Sequence, residues 1–259
     1  MSPEVRRAFA AGDAAKLWRQ YGFRSPEELV LEDVAWALGV AVMEGPLDSA
    51  DARLVRRADR GIIRVNREIR QHGRKRFAIA HELGHWRLHA AISQLLACTK
   101  EDMLARYKES EPEAEANWFA AELLMPEDLY RPAIAGNAPN PDVINGLANR
   151  FLVTRTAAAV RFVELCKEHC VFVMCEKGRI KWWRCSKDIE GPLWIDGGTA
   201  VSPRTLAGRF FEGKIPEAET QCVGMCEWAS KFPDYAEDAM EAIIPLGNTG
   251  AVIAMIWLE

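Results

Sequence analysis

His81-Glu82-Leu83-Gly84-His85 restricts the fold of this chain more than any other feature, because it lies in a stretch patterned as a buried helix. From Lys75 to about Ala91, Phe77, Ala80, Gly84 and Leu88 recur at three- and four-residue steps, with Leu83 and Trp86 beside them. Residues four apart on a helix lie on one face about one turn apart, so His81 and His85 can direct imidazole nitrogens at a single ion. Glu82 stands beside that face. There its carboxylate can take a proton from a water at an open coordination position and hand it to a leaving amine. A mid-helix glycine costs about 1 kcal/mol relative to alanine, so Gly84 implies the close approach of another backbone.

A catalytic zinc needs a third protein ligand and a vacant position. A second helix is predicted from Glu111 or Pro112 to Met125, where Glu-Pro supplies a start and Met125-Pro126 a stop. Glu113 is the best third-ligand candidate on it. Asn117, four residues later, shares its face and could hydrogen-bond a ligand histidine from behind. Taken alone, Glu111, Glu113 and Glu115 also read as an acidic helix start that favours the dipole. His89 continues the four-residue series, but three histidines along one straight helix do not easily converge on one ion. It reads as a packing residue or as an outer partner of the site. His72 and His169 have no spacing relation to the motif.

A chain of 259 residues predicts two units. The formal net charge of -4 gives no basic footprint for nucleic acid, so direct nucleic-acid binding is not expected. No apolar run approaches the roughly 20 residues that span a bilayer, and MSPEVRRAFAAGD has no signal-peptide core. Seven cysteines at irregular spacing fit reduced thiols and a cytoplasmic location. Ser25 as N-cap, Pro26 at the first helical position and Glu28 closing a capping box predict a helix to about Gly39. VAVMEG, ARLVRRA and GIIRVN read as short strands of a small sheet. A turn-rich NAPNPD loop precedes a helix pair at roughly Asp142–Phe151 and Thr154–Lys167. After Cys170 the texture turns to alternating and aromatic runs, which predicts a β-rich second domain.

RFAIAHELGHWRLH followed by EPEAEANWFAAELLMP resembles the ImmA/IrrE metallopeptidases of bacteria and mobile elements. With GIIRVN before the motif and LANRFLVTRTAAAVRFVEL after it, the resemblance covers roughly residues 25–166. It implies an α+β fold, with a zincin-like, gluzincin-type domain over residues 1–170. A mixed α/β, β-rich and sensor-like domain follows over 171–259, GAF-like in some relatives. It further implies Zn2+ as cofactor, His81, His85 and Glu113 as its ligands with Glu115 as the alternative to Glu113, and Glu82 as catalytic base. The implied substrate is a helix-turn-helix repressor whose cleavage releases stress-response or mobile-element genes. A signal ligand would act at the C-terminal domain. The peptide is expected along the edge of the small sheet, with GIIRVN as that edge.

Two other classes of reading stay open in the sequence: a non-proteolytic zinc-binding regulator, and a DNA-binding regulator that uses the helix–turn–helix outline of LANRFLVTRTAAAVRF. Arg161 and Tyr107 are the cationic and phenolic candidates for stabilising an oxyanion. Cys166 and Cys170, with His169 between them, and Cys222 and Cys226 are paired at four-residue spacing, a pattern open to a metal or redox role. Lys181-Trp182-Trp183-Arg184 reads as core or interface, or as a stacking surface.

Overall fold

The computed structural model of the chain describes residues 2–89, 95–99, 111–214, 220–247 and 250–258. They form two compact units: residues 1–129 with 149–154, and residues 130–148 with 155–259. This division falls earlier in the chain than residue 170.

The first unit opens with α1 (Pro3–Tyr21), a helix absent from the sequence expectations, which began the fold at Ser25. Its signals are local. The Ser2 side chain accepts from the Val5 N–H, Pro3 takes the first helical position, and Gly22 ends the helix with φ 71°. Ala10, Ala14, Leu17 and Trp18 recur at helical spacing and are buried, and the Trp18 indole donates to the Leu123 carbonyl at 2.8 Å. In place of one helix from Ser25 to Gly39 there is a 3-10 turn (Pro26–Glu28) followed by α2 (Leu31–Ala37). Ser25 caps nothing with its side chain, and Glu28 instead accepts from the Arg24 N–H at 2.8 Å.

The three expected strands are β1 (Val40–Gly45), β2 (Ala50–Arg57) and β3 (Arg60–Asn66), joined by β4 (Leu95–Thr99) in the order β1-β3-β2-β4. β1 runs parallel to β3, whereas β2 is antiparallel to both β3 and β4. GIIRVN is therefore an interior strand and not the edge. A tight turn at Ala58-Asp59 folds it back on β2, and β1 then pairs along its other side, so β1 and β4 are the outer strands. Strand alternation buries Gly61, Ile63 and Val65 and exposes Ile62 and Arg64. Across the buried face lies α3 (His72–Leu88), the motif helix, followed in the chain by α4 (Glu111–Leu124). Trp86 sits over Gly61, where a Cβ would come within 2.9 Å of the indole ring, and its Nε1 donates to the Leu38 carbonyl at 3.2 Å. These contacts fix the rotation of α3 on the sheet.

The second unit takes most of α5 (Glu127–Ile134) and α6 (Pro141–Arg150), with all of α7 (Arg155–Leu165) and α8 (Leu206–Phe211). Its sheet is antiparallel, in the order β6-β5-β9-β8-β7, from β5 (Cys170–Glu176), β6 (Arg179–Cys185), β7 (Thr220–Gly224), β8 (Asp238–Pro245) and β9 (Ala251–Trp257). The β-rich texture after Cys170 is this sheet. Within α7, residues 157 to 163 and Leu165 are buried, which leaves no face of the kind a DNA-reading helix presents. Arg161 is 4% exposed and lies 3.6 Å from Glu164. Trp183 packs against the core of this unit and meets Trp194 edge to face. Among the described residues no helix is long and apolar enough to cross a membrane.

Candidate metal centre

The motif occupies the most deeply buried part of α3: every residue from Arg76 to His85 is buried, and His81, Glu82 and His85 are each 1% exposed. Charged and polar groups are costly in such a place unless they serve one another. Helix α4 supplies the partners. It packs against α3 at Gly84, where a Cβ would stand 2.9 Å from the Ala116 Cα and 3.1 Å from the Ala116 oxygen. The glycine and the small Ala116 together bring the two helices close enough for α4 side chains to reach the histidines. Gly84→Ala therefore gains helix propensity worth about 1 kcal/mol yet is expected to destabilise the protein by about 1–3 kcal/mol through overpacking. Urea unfolding measures this, and an unchanged or raised midpoint would show that the helix contact is not tight.

Glu113 and Asn117 share a face of α4, and both point at the histidine pair. The Nε2 atoms of His81 and His85 are 3.0 Å apart; Glu113 Oε2 lies 3.2 Å from the first and its Oε1 3.3 Å from the second. The three side chains form a cluster whose potential ligand atoms all lie within 4.8 Å of one another. Four donors around zinc at about 2.0–2.1 Å are separated by roughly 3.3–3.4 Å, close to the separation of each histidine nitrogen from its nearer Glu113 oxygen.

Behind the trio, hydrogen bonds decide which nitrogen of each ring faces inward. His81 Nδ1 is 3.0 Å from Asn117 Oδ1, which can only accept, so the tautomer that satisfies this contact carries its proton on Nδ1 and its lone pair on Nε2. His85 is held by a longer chain. Its Nδ1 lies 3.0 Å from His89 Nδ1, and His89 Nε2 lies 3.0 Å from Glu115 Oε2. The carboxylate accepts from His89 Nε2, which leaves His89 Nδ1 to accept from His85 Nδ1, and His85 Nε2 again faces the trio with its lone pair. Two lone pairs and a carboxylate thus converge on one point. Such a donor set is compatible with a bound metal ion.

Burial opposes charge on His81, but the Glu113 hydrogen bond and the nearby Glu82 and Glu113 charges outweigh it and hold His81 above its usual value. Burial dominates at His85, with His81 and His89 adding to it, and pushes that ring down to about 4. Burial also opposes ionisation of Glu113, yet its close contacts with both histidines hold its carboxyl well below the usual range.

The structure thus brings together His81, His85, Glu113 and Asn117, with Glu82 buried beside His81 on the same helix. Glu115, the alternative to Glu113, goes to His89. His89 is buried and takes the outer position that its four-residue spacing allowed. Sequence spacing alone does not indicate the partnership of His89 with Glu115, because Glu115 stands two positions after Glu113 and so falls on a different face of α4. Tyr107 lies outside the described residues.

A family model described as the IrrE N-terminal-like domain, Peptidase_M78, matches residues 35–163, a range that contains all of these side chains. Among solved structures, one described as a Mycobacterium tuberculosis transcriptional regulator is similar with a TM-score of 0.61 at 17% identity. The match covers 96% of this chain and 76% of that one, and it shows a shared fold. No curated protein sequence matches.

Proposed function

Because the chain belongs to the ImmA/IrrE family of peptidases, we propose that it is a zinc-dependent endopeptidase that cleaves a regulatory protein, such as a helix-turn-helix transcriptional repressor. The observation that carries this reading is the convergence of His81 Nε2, His85 Nε2 and the Glu113 carboxylate at 3.0–3.3 Å, with the outward nitrogens already engaged by Asn117 and by His89. Among the described residues three protein donors converge, and a site held by these three would keep a fourth position open, the mark of a catalytic site rather than a structural one. When bound, zinc supplies Lewis acidity toward a carbonyl and makes water more acidic.

Within the proposal His81, His85 and Glu113 hold the ion, and Asn117 keeps His81 in the tautomer that can bind it. Glu82 takes the proton of the attacking water and passes it to the leaving amine. Its burial next to His81 keeps bulk water from competing for that proton. An extended substrate segment would add to an outer strand of the first sheet, and β4 is the outer strand that follows the motif helix. Residues 171–259 are assigned a regulatory, sensor-like and GAF-like role that answers a signal ligand, a reading supported by their single antiparallel sheet. The protein would act in the cytoplasm, in a stress response or in the control of a mobile element.

Asn117→Ala tests the outer partner. It is expected to weaken zinc binding by about 10- to 100-fold without unfolding the protein, and competition with a chromogenic chelator reads this directly. Unaltered affinity would remove Asn117 from the site. The function itself is tested by incubating the zinc-loaded protein with repressors encoded beside its gene and following fragments by mass spectrometry. Cleavage at one or a few bonds is expected. A repressor bound stoichiometrically yet left intact would instead favour a regulator that does not cut.

A further inference from the structure

Within the second unit, the turn between α7 and β5 brings two thiols together. Cys166 extends the last turn of α7, its N–H donating to the Phe162 carbonyl at 2.8 Å. Cys170 begins β5, with its N–H on Ser186 Oγ at 3.2 Å and its carbonyl accepting from the Ser186 N–H at 2.9 Å. Each cysteine is thus anchored in a hydrogen-bonded element. Their Sγ atoms are 3.4 Å apart. A disulfide needs about 2.05 Å, a closure of roughly 1.4 Å that side-chain rotation can supply across a short turn.

The two thiols are not equivalent. Cys166 is partly exposed, whereas Cys170 has no exposed surface. The hydrogen bond from Cys170 holds Cys166 below the usual thiol range in spite of its partial burial, while the same contact and burial push Cys170 well above it. A reachable sulfur with thiolate character beside a shielded thiol is the arrangement in which one cysteine meets an oxidant and the other resolves the product. Cys175, Cys185, Cys222 and Cys226 lack it. Burial pushes Cys175 up to about 12 and also raises Cys185, and no thiol contact joins the exposed Cys222 and Cys226.

We propose that Cys166 and Cys170 form an oxidation site, at which a hydroperoxide converts the dithiol into an intramolecular disulfide. The Cys166 thiolate attacks one peroxide oxygen; the S–O bond forms, the O–O bond breaks and hydroxide leaves, giving a sulfenic acid. The Cys170 sulfur then attacks the Cys166 sulfur. The S–O bond breaks, and the hydroxyl leaves as water with the proton of Cys170. Two thiols are oxidised, and one peroxide is reduced by two electrons to water. The product ties the end of α7 to the first residue of β5 and spares Cys166 from further oxidation. In a reducing compartment the pair stays open until peroxide rises.

The test uses the full chain, reduced, freed of reductant and treated with one equivalent of hydrogen peroxide, then digested with trypsin without reduction. Residues 162–167 and 168–177 are expected to appear linked, at the summed mass less about 2 Da, with fragmentation placing the link at Cys170. In Cys170→Ser, Cys166 should instead gain about 16 or 32 Da as sulfenic or sulfinic acid. In Cys166→Ser, Cys170 should stay unmodified. The proposal is overturned if wild-type Cys166 gains oxygen without forming the link, if the link runs to Cys175, or if Cys222 and Cys226 take the oxidation first. The wild-type digest decides the matter even where a serine variant fails to fold.

Discussion

Glu82→Gln is expected to lower the rate of peptide-bond hydrolysis by about 10²- to 10⁴-fold, the range that a positioned general base contributes, while zinc content and unfolding midpoint stay at the wild-type level. The separation of these effects follows from the site. Glu82 lies on α3 within the buried stretch that carries both histidines, and the trio proposed to hold the ion does not include it. Glutamine keeps the volume and the polar character of the side chain but cannot accept a proton, so packing survives and proton transfer does not. Single-turnover cleavage with the metal content measured in the same sample reads both quantities. A variant that retains metal and still cuts at the wild-type rate would place the base elsewhere.

Glu113→Ala is expected to have the larger effect on metal. It deletes a donor instead of an outer partner, so zinc affinity should fall by more than the roughly 10- to 100-fold typical of outer-shell losses, and hydrolysis should fail at stoichiometric metal. Glu115→Ala should cost no more than that outer-shell range, because Glu115 acts on the ion only through His89 and His85. The comparison decides between two glutamates that the sequence alone leaves open. If the two variants lost affinity equally, or if Glu115→Ala lost more, the ligand assignment on α4 would be reversed.

What was legible in the sequence was local. The five-residue spacing and the apolar positions around it are enough to place two histidines on one face of a buried helix, because helix periodicity needs no knowledge of neighbours. Gly84 was readable for the same reason, and the close approach it implies is with Ala116. The Glu113–Asn117 spacing indicated a shared face, but the tautomer chain through His89 and Glu115 depends on how α4 lies against α3, which no local pattern encodes.

The strand order was illegible on similar grounds. GIIRVN looks like an edge until β1 is known to run parallel along it, and that pairing joins strands that β2 separates in the chain. Helix α1 was readable, since Ser2-Pro3, Gly22 and the Ala10, Ala14, Leu17 and Trp18 spacing are ordinary signals. Arg6, Arg7 and Asp13 mask these signals by giving the segment a polar texture.

The central claim is that three side chains hold an ion and leave a fourth position open. A crystal structure of the zinc-loaded protein, with the ion located by anomalous scattering at the zinc edge, tests it most directly. The account predicts one ion bonded to His81 Nε2, His85 Nε2 and a Glu113 oxygen, at about 2.0–2.2 Å, with solvent as the remaining ligand. An ion closed off by a fourth protein side chain, or one bound away from this trio, would contradict it.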